Sequence, residues 1–303
     1  MPAPDCSIIW KDAMTPDRQR RVEAALGEPI AELKSVGGGC IADSRRLTTR
    51  SGKSYFLKQA RSGQNPEMLR AEANGLRELR KSQAVRVPEV LAAESDFLLL
   101  GFIAEGRARS GSYAELGRSF AQLHRFRGQA FGFREDNFLG TSVQPNRASG
   151  AATSNWSAFY AEYRLGFQLR LSERNGTATP ELRRGMEQLL GKLPRLLAGT
   201  EEPPTLLHGD LWSGNHVIDA QGRGWLIDPA VSYGHREADL AMTTLFGGYP
   251  AEFYSAYQEA HPLPSDWRER EPLYQLYHLL NHLNLFGSGY LGQVMAVIRR
   301  YVG

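Results

Sequence analysis

The sequence predicts a two-lobed α+β protein, with a small β-rich lobe over residues 1–103 and a mainly helical lobe over residues 104–303. Three observations point there. Short alternating apolar patterns separated by glycine and serine turns crowd the first third. Helical spacing takes over after the polar stretch AEGRARSGS at 104–112. Strand patterns then return only around 205–228, on either side of a turn-rich segment.

In chain order, the first lobe reads as a Gly-Gly-Gly turn at 37–39, strands near 41–48 and 54–59, a helix near 66–81, and strands near 87–93 and 97–103. The two middle strands form a hairpin around Ser51-Gly52-Lys53. Helical spacing begins with Ser112 as N-cap and apolar Tyr113, Leu116, Phe120 and Leu123. A Gly/Ser/Asn-rich loop is expected at 140–155, and short strands at TLLH (205–208) and WLID (225–228) flank DAQGRG. Leu273, Leu276, Tyr277, Leu280 and Leu283 read as the core stripe of a late helix.

Composition excludes several classes. With 36 basic and 33 acidic residues the formal net charge is +3, which does not suit a nucleic-acid wrapper. Hydrophobic residues make up 42%, enough to bury a core, and no apolar run is long enough to span a bilayer. The N-terminus lacks the apolar segment of a secretory signal. Two cysteines, Cys6 and Cys40, are too few for a disulfide scaffold. A cytoplasmic protein without nucleic-acid or membrane partners is expected.

The chemistry concentrates in His208-Gly209-Asp210-Leu211-Trp212-Ser213-Gly214-Asn215 and in Ile227-Asp228-Pro229. An Asp five residues before an Asn, with a second Asp ending the next strand, is the layout of a phosphoryl-transfer loop and its metal site. Such transfer needs a carboxylate to accept the proton of an attacking hydroxyl, and an amide plus a carboxylate to hold Mg²⁺ against ATP phosphates. Asp210 suits the first task; Asn215 and Asp228 suit the second. Upstream, Lys58 in the run Tyr55-Phe56-Leu57-Lys58 lies where a lysine would hold the α- and β-phosphates. Glu72 shares a helix face with Leu69 and Leu76, and an inward carboxylate there needs a partner, whereas Glu78 falls off the stripe and is expected to be exposed. Gly37, Gly38 and Gly39 precede Lys58 as a phosphate-approach turn, although they do not form G-x-G-x-x-G. The alternative for each of these residues is a plain structural one, since Asp, Asn and Gly favour turns.

Together HGDLWSGN, IDPAVSYGHREADLAMTTLFGGYP, FYSAYQEAHPL and LYQLYHLLNHLNLFG make the chain similar to the fructosamine/ketosamine kinase family, related to the aminoglycoside phosphotransferase-like and protein kinase folds. GGGCI, YFLK, RAEANGL and RVPEVL extend the resemblance to the first lobe. It implies a protein-kinase-like fold and an ATP- and Mg²⁺-dependent kinase acting on the sugar 3-hydroxyl of ketoamines, borne on protein lysines or on small amines, as a deglycation step. Ribulosamines and erythrulosamines are the acceptors it implies for bacterial-looking members, ahead of fructosamines. It places adenine against the backbone of the hinge at Leu100, Phe102 and Ile103. Gly209 stands where protein kinases commonly carry arginine, and Asp228-Pro229-Ala230 where they carry Asp-Phe-Gly, which points to a constitutively assembled site.

Further residues carry open readings. Trp212 is a sugar platform or a loop-packing residue. His235, Arg236, Glu237 and Asp239 read as structural, with Asp239 anchoring the catalytic loop. His282, with Asn281 and Asn284, lines the acceptor pocket or makes buried hydrogen bonds; His278 and His282 lack a third zinc ligand. Cys40, directly after the glycines, is a redox candidate or an inert small residue; the resemblance implies a disulfide-linked homodimer through that loop, with a second chain's Cys40 or Cys6 as partner, and a monomer is the alternative. Competing functions are a small-molecule kinase of the aminoglycoside or choline type and a nucleotide-binding pseudokinase scaffold.

Overall fold

The computed structural model describes residues 14–36 and 43–303. The glycines at 37–39, Cys40 and Cys6 lie outside the described residues. Contacts divide the chain into two compact units, one of Met1–Ala73 with Pro88–Ile103 and one of Asn74–Val87 with Ala104–Gly303.

The first unit opens with helix α1 (Pro16–Leu26), started by the Thr15 side chain accepting from Arg18 N at 3.3 Å and stopped by left-handed Gly27. Its strands β1 (Ile30–Ser35), β2 (Asp43–Thr49), β3 (Ser54–Gln59), β4 (Val90–Ala93) and β5 (Phe97–Gly101) form an antiparallel sheet in the order β1-β2-β3-β5-β4. Val22, Leu47, Leu57, Phe97 and Leu99 make its core. Arg18 and Arg21 clamp Asp96 at 2.8 and 2.7 Å, and the Arg21 guanidinium holds that carboxyl down at about 2. Neither α1 nor β1 is expected from the sequence. α1 is polar on nearly every face, with Val22 its buried residue, and β1 is an edge strand of helix-favouring Ala, Glu, Leu and Lys that pairing with β2 makes extended. The unit boundary falls inside α2 (Met68–Lys81), which starts two residues later than the spacing predicts.

The second unit is mainly helical: α3 (Ser112–Leu123), α4 (Trp156–Phe159), a π-helical stretch Tyr160–Leu165, α5 (Gly166–Arg174), α6 (Pro180–Leu196), α7 (Arg236–Leu245), α8 (Ala251–Ala260), α9 (Trp267–Phe286) and α10 (Leu291–Val302). Three two-stranded ribbons punctuate it. β6 (Asn137–Leu139) pairs with β7 (Ser142–Gln144), β8 (Thr205–Leu207) with β11 (Ser232–Gly234), and β9 (His216–Ile218) with β10 (Gly224–Leu226). The expected loop at 140–155 therefore contains a strand and a 3₁₀ turn at Gly150–Thr153. Ser112 is not the N-cap: Gly111 holds that place in a left-handed conformation, and the Ser112 hydroxyl instead donates to Gly222 O at 2.6 Å. The core stripe of α9 lies buried as the periodicity predicts, among Phe159, Leu189, Leu193 and Ile298.

Candidate active site

The candidate residues fall in both units, and local sequence explains how each is held. In the first unit, the second half of β3, Leu57, Lys58 and Gln59, is buried on both faces, Lys58 included. The Lys58 Nζ donates to Glu72 Oε1 of α2 at 2.7 Å. The inward carboxylate of α2 thus meets a strand lysine, with the two side chains 9% and 17% exposed. At the end of β5, Leu100 is buried, while Phe102 and Ile103 are half-buried; the Arg46 guanidinium lies 4.7 Å from the Phe102 ring centre.

In the second unit, β8 ends at His208, which is fully buried and orders the loop that follows. Its Nε2 donates to Ile227 O at 3.0 Å, and its Nδ1 accepts from Asp210 N at 3.3 Å, which settles the tautomer. Gly209 has φ of +83°, and a Cβ there would sit 2.0 Å from Ala230 O. Backbone proximity therefore excludes any side chain where protein kinases carry arginine. Asn215 closes the loop by donating Nδ2 to Asp210 O at 2.8 Å and to Asp210 Oδ2 at 3.0 Å. Ile227 N donates to Asn215 O at 3.1 Å, which brings Asp228 alongside. Asp228 itself has φ of +55°, a left-handed conformation that costs free energy in a non-glycine residue and clusters at functional sites.

Asp239, fully buried in the first turns of α7, holds this loop from below. Its Oδ2 accepts from His208 N at 2.7 Å and its Oδ1 from Gly209 N at 2.8 Å, in keeping with the anchoring role the sequence suggests. His124 Nε2 donates to Asp239 Oδ2 at 3.2 Å, and Tyr257 Oη donates to His124 Nδ1 at 2.8 Å. The rest of that charged cluster is structural too. His235 caps α7, Arg236 forks onto Glu202 at 2.8–2.9 Å, and Arg270 grips Glu237 at 2.7 and 2.8 Å.

Electrostatics single out Asp210. Burial pushes its carboxyl well above the ordinary carboxylate range, the charge of Asp228 adds to this, and the Asn215 amide acts against it. The Asn215 Oδ1, which accepts no hydrogen bond among the described residues, completes a hard-oxygen donor set that fits Mg²⁺. Burial also holds His124, His208, His235 and His278 below the ordinary imidazole value, His278 at about 3. The unfolded chain therefore takes up protons first on acidification. Unfolding free energy, followed by urea titration across pH, is expected to fall as pH drops below about 6.5.

Trp212 packs the loop and leaves part of its ring exposed. Its indole covers Gly214, where a Cβ would meet the ring at 2.4 Å, and it remains half-exposed beside Phe246, ring centres 5.8 Å apart. Tyr249 Oη donates to Trp212 O at 2.9 Å. His282 lies on the other side of Phe246 at 5.0 Å. Asn281 and Asn284 do not join it: Asn281 is bonded to Gln168 and Leu139 O, and Asn284 to Gln168. His282 Nδ1 is bonded to His278 O, and among the described residues no cluster of three His, Cys, Asp or Glu side chains is placed to hold a metal.

Glu78 corrects the sequence reading. It is buried, not exposed, and its carboxylate accepts from Tyr233 Oη at 3.0 Å and from Lys81 and Arg134 at 2.8 Å. Burial would raise its pKa, and these donors outweigh it. The apolar stripe of α2 marks one buried face, while Glu78 is covered by polar partners that hydrophobic periodicity does not detect. His124 and Tyr249 also escape sequence reasoning. The one available signal was a histidine four residues after Phe120 on the apolar face of α3. Beside the loop, Glu105, Gly106, Ala108, Tyr113 and His216–Ile218 line a groove of about 290 Å³ that no motif announces.

The fructosamine kinase family profile matches residues 14–303, nearly the whole chain. The chain belongs to the fructosamine kinase family. It is therefore a phosphotransferase. A probable ketoamine kinase of Synechocystis is 38% identical over 93% of this chain and 94% of its own. A chloroplastic protein-ribulosamine 3-kinase of Arabidopsis thaliana is 38% identical over 90% and 83%. A crystal structure of a candidate fructosamine-3-kinase from Thermobifida fusca superposes with a TM-score of 0.84 at 33% identity, covering 93% and 97%. A choline kinase of Streptococcus pneumoniae, 14% identical with a TM-score of 0.61 over 93% and 96%, shares the fold alone. Among the described residues of this fructosamine kinase family member, no helix is long and apolar enough to cross a membrane.

Proposed function

We propose that this protein transfers the γ-phosphoryl group of ATP to the sugar 3-hydroxyl of ketoamines, ribulosamines and erythrulosamines ahead of fructosamines, carried on protein lysines or small amines. The observation that carries this reading is Asp210, held by Asn215 beside Asp228 on a loop whose backbone Asp239 anchors. In this reading Asp210 takes the proton of the sugar hydroxyl as its oxygen attacks phosphorus. Asn215 and Asp228 hold Mg²⁺, which neutralises phosphate charge when bound. Lys58, oriented by Glu72, holds the α- and β-phosphates, and the backbone at Leu100, Phe102 and Ile103 receives adenine. Trp212 and His282 receive the acceptor. Once phosphorylated, O3 becomes a leaving group. Loss of a C1 proton converts the C2 carbonyl to an enaminol that expels inorganic phosphate from C3, and water then hydrolyses the resulting C1 imine, freeing the amine and a 3-deoxy dicarbonyl sugar. A cytoplasmic setting belongs to the same reading, as two cysteines suit a reducing compartment.

The test is ADP release with Mg²⁺-ATP across ribulosyl-lysine, fructosyl-lysine, kanamycin and choline. Turnover confined to the ketoamines supports the reading; turnover of kanamycin or choline alone rejects it. Within that assay Trp212→Ala is expected to raise KM for the ketoamine about tenfold while KM for ATP stays within about twofold, because stacking acts on the acceptor. Equal rises for both substrates would show that the loop had collapsed.

A further inference from the structure

The row of rings that starts at Trp212 continues outward along α9. Phe246, just past the end of α7, links Trp212 to His282. His282 in turn meets Phe286 at 5.4 Å and Tyr290 at 5.1 Å, and those two rings are 6.2 Å apart. The chain turns at Gly287, with φ of +87°, and the 3₁₀ turn Ser288–Tyr290 returns Tyr290 to His282. Phe286 is 58% exposed, and it and Val143 are the exposed large hydrophobic residues among the described residues. Leaving such a ring in water, continuous with a half-exposed tryptophan beside the catalytic loop, is the mark of a binding surface.

The charge of this row restricts what binds there. Burial keeps His282 neutral, with the His278 carbonyl acting the other way, and no carboxylate is among the groups that set its state. Aromatic faces without formal charge favour a single cation on an alkyl stem. Polycations instead require paired carboxylates. A lysine-borne ketoamine has the matching order of groups: sugar, protonated secondary amine, four methylenes, then peptide.

We propose that Phe246, His282, Phe286 and Tyr290 form the subsite for the amine side of the acceptor, with the alkylammonium stem over the inner rings and the peptide flank against Phe286 and Tyr290. The proposal rests on the ketoamine kinase reading above. It makes lysine within a polypeptide a better carrier than a short amine.

The experiment is steady-state kinetics with two acceptors bearing the same sugar, a ribulosyl-lysine pentapeptide and ribulosyl-methylamine. Wild type is expected to show the lower KM for the peptide. Phe286→Ala and Tyr290→Ala are each expected to raise the ratio of peptide KM to methylamine KM about five- to tenfold, with Phe286→Tyr restoring it. Turnover of both acceptors with that ratio unmoved by either variant overturns the subsite and leaves the ketoamine reading intact. Turnover of neither acceptor by wild type overturns both. A concentration-dependent dimer that Phe286→Ala disperses, with the ratio unmoved, assigns the rings to a second copy of the chain and overturns the proposal.

Discussion

Asp210→Asn is expected to lower turnover on the best ketoamine by about 10² to 10⁴, the range for a lost general base, while KM for ATP changes little. The substitution keeps the shape of the side chain and leaves the Asn215 Nδ2 bond to the Asp210 carbonyl in place at 2.8 Å. What it removes is the capacity to take a proton from the attacking hydroxyl. Single-turnover measurements with saturating nucleotide isolate the step, and wild-type turnover in the variant would remove Asp210 from the catalytic role. Asp228→Ala behaves differently in this scheme: Mg²⁺-dependent nucleotide binding, measured by calorimetry, is expected to fail first.

Asp239→Ala is expected to destabilise the fold by about 3–5 kcal/mol, because it strips a buried carboxylate from His124 and from two backbone donors. The His208 and Gly209 N–H groups would be left buried without acceptors, at about 1–3 kcal/mol each. Asp239→Asn retains one acceptor oxygen and is expected to fall between the variant and wild type in urea unfolding. The pH dependence has a defined sign. Burial pushes the Asp239 carboxyl up, but the bonds from His124 and Gly209 N outweigh this and hold it below the ordinary value. Its contribution is therefore present above about pH 4 and lost as pH falls through the native value. That acid limb is expected to be shallower in Asp239→Ala. An unchanged limb together with wild-type stability would show that the loop is anchored elsewhere.

The loop from His208 to Asn215 was legible because its geometry is local. Asp210 and Asn215 lie five residues apart on one turn, so residue types and spacing nearly define their contact. The Lys58–Glu72 contact was half legible: periodicity put Glu72 on an inward face, but its partner lies fourteen residues away on a strand. Glu78 went the other way, since its partners Arg134 and Tyr233 lie 56 and 155 residues distant and are polar. Hydrophobic spacing reports which face meets oil, not which face meets a ring of donors. The ring row around Phe246 was hidden for a related reason, because it joins the His208–Asn215 loop, the end of α7 and the end of α9.

By itself the sequence determined the α+β class, the helix of residues 68–81 to within two residues at its start, and the loop that brings Asp210 and Asn215 together. Each of these depends on propensity, period or short spacing, which act within a few residues along the chain. Tertiary structure decided that β1 is a strand despite its helix-favouring residues, that Gly209 admits no side chain because Ala230 O is in the way, and that His124 braces Asp239. Those outcomes turn on partners 10 to 115 residues away, and a buried polar group accepts whichever donor packing brings within reach.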